Sequence, residues 1–136
     1  AQFASCQVSK EYLCLCGSDA SDLELLETWK GQRTLVDTPL ERQTSRQIGQ
    51  PRVVPDLNGK EARTEFQVLE IFEDAGQVLM LAAVWPLTGR MHQIRAHMAS
   101  LRQPIVGDRA YGDRTRFAGR VFLHCRSISL TDLLGK

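Results

Sequence analysis

The stretch ARTEFQVLEIFEDAGQVLMLAAVW, residues 62–85, constrains the fold more than any other. Ala62, Thr64, Phe66 and Val68 alternate with Arg63, Glu65 and Gln67. That period of two belongs to a strand with one face buried and one wet. EDAGQ then supplies a turn at Gly76, and VLMLAAVW returns with almost no polar residue. A returning strand that is apolar on both faces belongs in the middle of a sheet. Residues 62–85 therefore read as a β-hairpin, and the chain is committed to an antiparallel sheet.

The remaining segments attach to this hairpin. KEYLCLC (10–16) reads as a strand, and SDLELLETWK (21–30) as a helix with Ser21 as its cap and Glu24 completing a capping box. Residues 31–60 hold Pro39, Pro51 and Pro55 with three glycines. They read as extended loop, with a strand near 34–38, and so long a loop suggests function or docking. After Pro86 and Gly89 the period changes to that of a helix, with Met91, Ile94, Met98 and Leu101 on one face. RVFLHCRSISL (120–130) reads as a closing strand. The order β, α, loop, β-hairpin, α, loop, β describes one α+β domain over 1–136, built on a mainly antiparallel sheet.

Charge is distributed unevenly. Residues 1–87 carry 8 Lys+Arg against 13 Asp+Glu, whereas residues 88–126 carry 8 arginines, no lysine, and only Asp108 and Asp113. Cations that are all arginine suit planar, bidentate anions such as phosphate, so a polyanion is a candidate partner. The sequence has no apolar run long enough for a membrane-spanning helix and no signal peptide at its start. Cys6, Cys14, Cys16 and Cys125 form no CxxC, and we read them as reduced thiols. An intracellular protein is expected, most simply cytoplasmic, with an organelle as the alternative.

Three chemistries compete for TGRMHQIRAH (88–97). His92 and His97 are five apart, about 140° around a helix, so they share no face and no zinc site is expected. No GxSxG elbow accompanies the histidines, which leaves a serine nucleophile without support. An anion site is the strongest of the three. Gly89 precedes a helix start, and Arg90 and Arg95 lie in its first turns. Met91 stands where a capping Ser or Thr would be natural.

The longer string TGRMHQIRAHMASLRQPIVGDRAYG (88–112) resembles TGRTHQIRVHLAxLGxPIxGDxxYG of the RNA pseudouridine synthases in the RluA/RsuA group. FLHC (122–125) is similar to that family's LLHA, KEYLCL to K-x-Y-L-A-L, LVDTPLER to V-x-x-P-I-x-x, and GKEARTEFQVLE to G-K-x-A-x-T-x-F-x-V-L. The resemblance implies a mixed α/β fold around a bent sheet, with RNA as the partner and neither cofactor nor metal. The reaction it implies detaches uracil from its ribose, turns it, and rejoins it through carbon. The target base must leave its stack, at a cost of a few kcal/mol.

By the same resemblance, Tyr12 lies against the flipped base and serves in proton transfer. Arg95 pairs with the catalytic carboxylate, and Leu123 is a pocket wall. Arg90, His92 and His97 become RNA-backbone or structural residues, with Lys60 and Arg63 as weaker RNA contacts. One departure matters most. The family's nucleophile sits in H-R-L-D-x-x-T-S-G, and no aspartate of this sequence has those flanks. The chain begins about where that block would end, so it resembles the C-terminal two thirds of a catalytic domain. The expectation is a pseudouridine synthase acting on ribosomal or transfer RNA, inactive as these 136 residues alone, its missing block supplied by a further N-terminal fragment. The competing expectation is a non-catalytic RNA-binding module, as a pseudoenzyme or truncated isoform. Asp108 is expected to be structural, with Arg95's partner outside the chain.

Overall fold

The computed structural model describes residues 6–43, 51–74, 76–117 and 119–132. Strands β1 (Cys6–Ser18), β2 (Thr34–Val36), β5 (Thr64–Asp74), β6 (Gln77–Pro86) and β7 (Leu123–Asp132) form one sheet in the order β2-β5-β6-β1-β7. Every pairing between neighbours in that sheet is antiparallel. The α+β expectation holds, and β6 lies at the centre, as its doubly apolar sequence requires. Helices α1 (Leu23–Trp29) and α2 (Gln93–Ser100) complete the domain.

Register explains the core. Tyr12, Val84 and Phe66 lie across from one another on β1, β6 and β5, and Cys14, Ala82 and Val68 form the next row. These rows pack against Leu26 of α1 and Ile94 and Met98 of α2. Trp29 meets the fully buried Phe66 edge-on, with ring centroids 5.2 Å apart. Burying a side chain of that size contributes roughly 1.5–3 kcal/mol. A bulge between Val68 and Glu70 then shifts the phase of β5. Beyond it the odd-numbered Ile71 packs on the core while Phe72 is exposed, so the simple alternation ends at Val68.

Three local readings need correction. The helix entry is capped by Asp19, whose carboxylate accepts from the Ser21 N–H and hydroxyl at 2.9 Å each. Ser21 thus donates to the cap, and a short 3-10 turn (Ala20–Asp22) precedes α1. Residues 31–60 hold more strand than the loop reading allowed: besides β2, their described residues form β3 (Leu40–Gln43) and β4 (Arg52–Pro55), paired as a separate ribbon. Finally, the buried face of α2 is Gln93, Ile94, Ala96, His97 and Met98. Met91 lies before the helix and is exposed, so the apolar stripe marked the core face only in part.

Candidate functional site

α2 begins without a side-chain cap. Its first flanking residue, His92, takes a left-handed conformation at φ 51. Gln93 does the organising instead. Its Nε2 donates to the Arg63 carbonyl and to Thr64 Oγ1, both at 2.8 Å. Its Oε1 accepts from the Thr88 hydroxyl at 2.6 Å and from the Arg90 N–H at 3.0 Å. Four hydrogen bonds on one buried amide tie the β6–α2 loop to the start of β5.

The loop and helix start form one side of a cleft of about 630 Å³. Lys10 and Tyr12 on β1 and Leu123 at the start of β7 line the rest of it. Tyr12, Leu123, Arg90, His92 and Arg95, which the sequence offered as site residues, therefore meet around one cavity. Tyr12 and Leu123 also pack against the core. No aspartate or glutamate lines the cleft, whereas Lys10, Arg90 and Arg95 do, so its field is positive among the described residues.

Arg95 has a partner inside the chain, which corrects the expectation of a lone guanidinium. Its Nε and Nη2 donate to the two oxygens of Asp108, both at 2.9 Å. The Asp108 carboxylate is 1% exposed and the Arg95 side chain 26% exposed. The fork-to-fork bond pushes Arg95 up from its ordinary value, so its charge is permanent. Asp108 is placed by the turn around it. Gly107 has φ 88, and a Cβ there would lie 2.2 Å from the Arg120 carbonyl oxygen. Only glycine fits that approach, and it delivers the next residue's carboxylate to α2.

Tyr111, also near that turn, is buried beneath α2. Its hydroxyl accepts from the Val53 N–H at 2.9 Å and lies 3.0 Å from His92 Nδ1. Since the hydroxyl already accepts one proton, we assign its own to Nδ1, which leaves the imidazole proton on Nε2. Burial first, and then the Arg95 charge, lower His92 from its ordinary value. His92 thus stands at the cleft as a neutral ring.

His97, Lys60 and Arg63 do not line the cleft. His97 is fully buried, which removes it from RNA contact and corrects its place among the RNA-binding candidates. Its Nε2 donates to the Thr38 carbonyl at 2.9 Å, and Nδ1 accepts from Thr64 Oγ1 at 2.7 Å. Lys60 is exposed beside Leu40, with which its backbone pairs. Arg63 is exposed, and its backbone serves Thr88 and Gln93. The residues the sequence reading passed over are Lys10, Gln93 and Tyr111. Gln93 left one signal: it lies four residues before His97 on the face that also carries Ile94 and Met98. No group of three or more metal-ligating side chains occurs among the described residues.

The His97 environment sets a pH dependence. Desolvation lowers His97 below its ordinary value near 6.5, against smaller opposing effects of Thr38 and Asp37. The unfolded chain therefore binds protons first as pH falls, so stability is complete above about 6.5 and declines below it. Urea midpoints measured from pH 8 to 5 should fall below that value. His92 is lowered too and acts in the same direction, so His97→Gln should flatten the decline without removing it. An unchanged slope in that variant would contradict the neutral assignment.

Comparison with known proteins matches residues 1–100 to the RNA pseudouridylate synthase family. The chain belongs to that family. Ribosomal large subunit pseudouridine synthase C of Vibrio parahaemolyticus is 36% identical over 135 residues, covering 94% of this chain and 38% of that protein. The dual-specificity RNA pseudouridine synthase RluA of Escherichia coli is 40% identical over 75 residues, 54% of this chain and 33% of that protein. The matched segments thus span about a third of these relatives' length. Human RNA pseudouridylate synthase domain containing 1 superposes with a TM-score of 0.71 at 27% identity, covering 89% of this chain and 49% of the human one. The family match ends at residue 100. Asp108, Tyr111 and Leu123 enter the site through the fold, not through that match.

Proposed function

We propose that this chain forms one wall of the catalytic cleft of an RNA pseudouridine synthase, acting on structured ribosomal or transfer RNA. The observation that carries the reading is the convergence of Tyr12, Leu123 and Arg95 on one carboxylate-free, positive cleft. Leu123 offers an apolar wall for a uracil ring. Tyr12 offers a stacking face, worth ~1–3 kcal/mol per base, and a hydroxyl for proton transfer. Arg90 and Lys10 suit the flanking phosphates. The reaction breaks the bond from ribose C1′ to uracil N1, turns the base, and forms a bond from C1′ to C5, releasing the C5 proton.

The nucleophilic carboxylate of that reaction has no candidate among the cleft's lining residues. Asp108 is buried and both of its oxygens are held by Arg95. Asp108 takes one N–H each from Nε and Nη2, so both N–H groups of Nη1 and the second of Nη2 are what Arg95 has to offer a second carboxylate. The 136 residues by themselves are therefore expected to release no tritium from RNA labelled at uridine C5. The full-length protein that carries them should release it. Release by the 136 residues alone would overturn the assignment of Arg95 to an added carboxylate. The missing carboxylate also favours a second reading, an RNA-binding module without catalysis. RNA binding by the full-length protein with no tritium release would select it. The free thiols of Cys14, Cys16 and Cys125 support a reducing, intracellular setting.

A further inference from the structure

His92 lines the cleft and has no part in the chemistry proposed above. Its backbone is left-handed, at φ 51 and ψ 25. Few residues with a side chain take that conformation, and histidine is among those that do. The ring stands edge-on to Tyr111, with centroids 5.9 Å apart at 87°. Tyr111 is itself held in place. It is buried, Arg95 and Arg52 lie over its ring at 4.9 and 5.4 Å, and its hydroxyl accepts from the Val53 N–H at 2.9 Å. The proton of that hydroxyl has one acceptor within reach, His92 Nδ1 at 3.0 Å. Were Nδ1 protonated, the Tyr111 proton would be buried without a partner, which is costly. The imidazole proton is therefore kept on Nε2. The Nδ1 edge is turned to Tyr111, which does not line the cleft, so the Nε2 edge is left for the cavity. Nε2 has no hydrogen-bond partner among the described residues.

A histidine held in this way differs from an ordinary one. A free imidazole moves its proton between the two nitrogens and can donate or accept at either. Here Nε2 can only donate. At C4, uracil carries a carbonyl and cytosine an amine that is itself a donor. At C2 both carry a carbonyl. A donor barred from accepting thus separates the two pyrimidines at C4 and nowhere else. Its surroundings suit a base: Tyr12, Ile94 and Leu123 line the same cavity. Lys10, Arg90 and Arg95 are the charged donors there for anions, whereas a neutral ring matches a neutral carbonyl.

We infer that His92 recognises the C4 carbonyl of the target uracil through its Nε2–H, and that Tyr111 is the positioning residue that stops His92 from accepting a cytosine amine. The inference rests on the pseudouridine synthase reading above and adds to it the choice of base. A site built to pair one polar group leaves a buried group unpaired when the wrong base enters.

The test uses the full-length protein and RNA tritiated at C5 of the target base, which is uridine, 2-thiouridine or 4-thiouridine. Sulfur accepts hydrogen bonds more weakly than oxygen. Single-turnover release by the native protein should be about tenfold slower from 4-thiouridine than from uridine, the scale of one weakened hydrogen bond, and little changed from 2-thiouridine. His92→Ala should slow release from uridine about tenfold and erase the 4-thiouridine penalty. His92→Gln, which keeps an N–H donor, should restore both. Tyr111→Phe keeps the ring but releases Nδ1, so RNA with cytidine at the target position should compete at least threefold better than it does for the native protein. No release by the native protein from any of the three bases overturns the pseudouridine synthase reading and this inference with it. Release with the 4-thiouridine penalty intact in His92→Ala overturns this inference alone, as does a penalty found at 2-thiouridine instead. An equal loss from all three bases in both His92 variants would make His92 a structural residue. Unchanged competition in Tyr111→Phe would remove Tyr111 from the selection.

Discussion

Tyr12→Phe in the full-length protein should reduce pseudouridine formation by about 10²–10⁴-fold, the range for losing a positioned proton-transfer group. The ring remains to stack on the base, so RNA affinity should stay within a few fold. Stability should hardly change, because the Tyr12 hydroxyl makes no hydrogen bond to the described residues. Single-turnover tritium release measured beside RNA affinity checks this. A loss confined to affinity would reduce Tyr12 to a stacking platform, and a loss of neither would remove it from the site.

Asp108→Ala should cost the chain about 3 kcal/mol, measured as the fall in unfolding free energy in urea. Breaking a buried ion pair from one side costs roughly 3–5 kcal/mol, and the partial exposure of Arg95 to water puts this pair at the lower end. The same substitution frees the Arg95 guanidinium beside the cleft. RNA binding at low salt should therefore strengthen, with a steeper salt dependence, even as stability falls. Asp108→Asn, which keeps the shape and one acceptor, should recover part of the stability. A general loosening of the fold would weaken binding and stability together.

The sheet was legible in the sequence because strand period and apolar content act locally. Phe66 and Val68 announce their face, and VLMLAAVW announces its central place. The alternation failed at Leu69, where a bulge adds a residue for which a period of two has no place. The β3–β4 ribbon was missed for another reason. LERQ is short and mostly polar, and RVVP is short and bounded by Pro51 and Pro55, so they look like loop until they pair. TGRMHQIRAH was legible as a site, and its histidines were legible as two unlike residues. The chain could not say which of them is buried, because burial of His97 depends on Thr38 and Thr64, remote in sequence. The partner of Arg95 was hidden likewise. Asp108 lies thirteen positions onward, past a turn whose shape depends on contact with Arg120.

That turn has an evolutionary consequence. The Asp108 carboxylate is aimed by main chain, through a left-handed glycine wedged on a carbonyl, more than by neighbouring side chains. Side chains around the cleft can drift while the Arg95 pair survives. One residue inserted or deleted between Ile105 and Arg109 would rotate the carboxylate away from α2. Descendants of this chain can thus change what the cleft accepts by substitution, whereas length changes in that segment are closed to them.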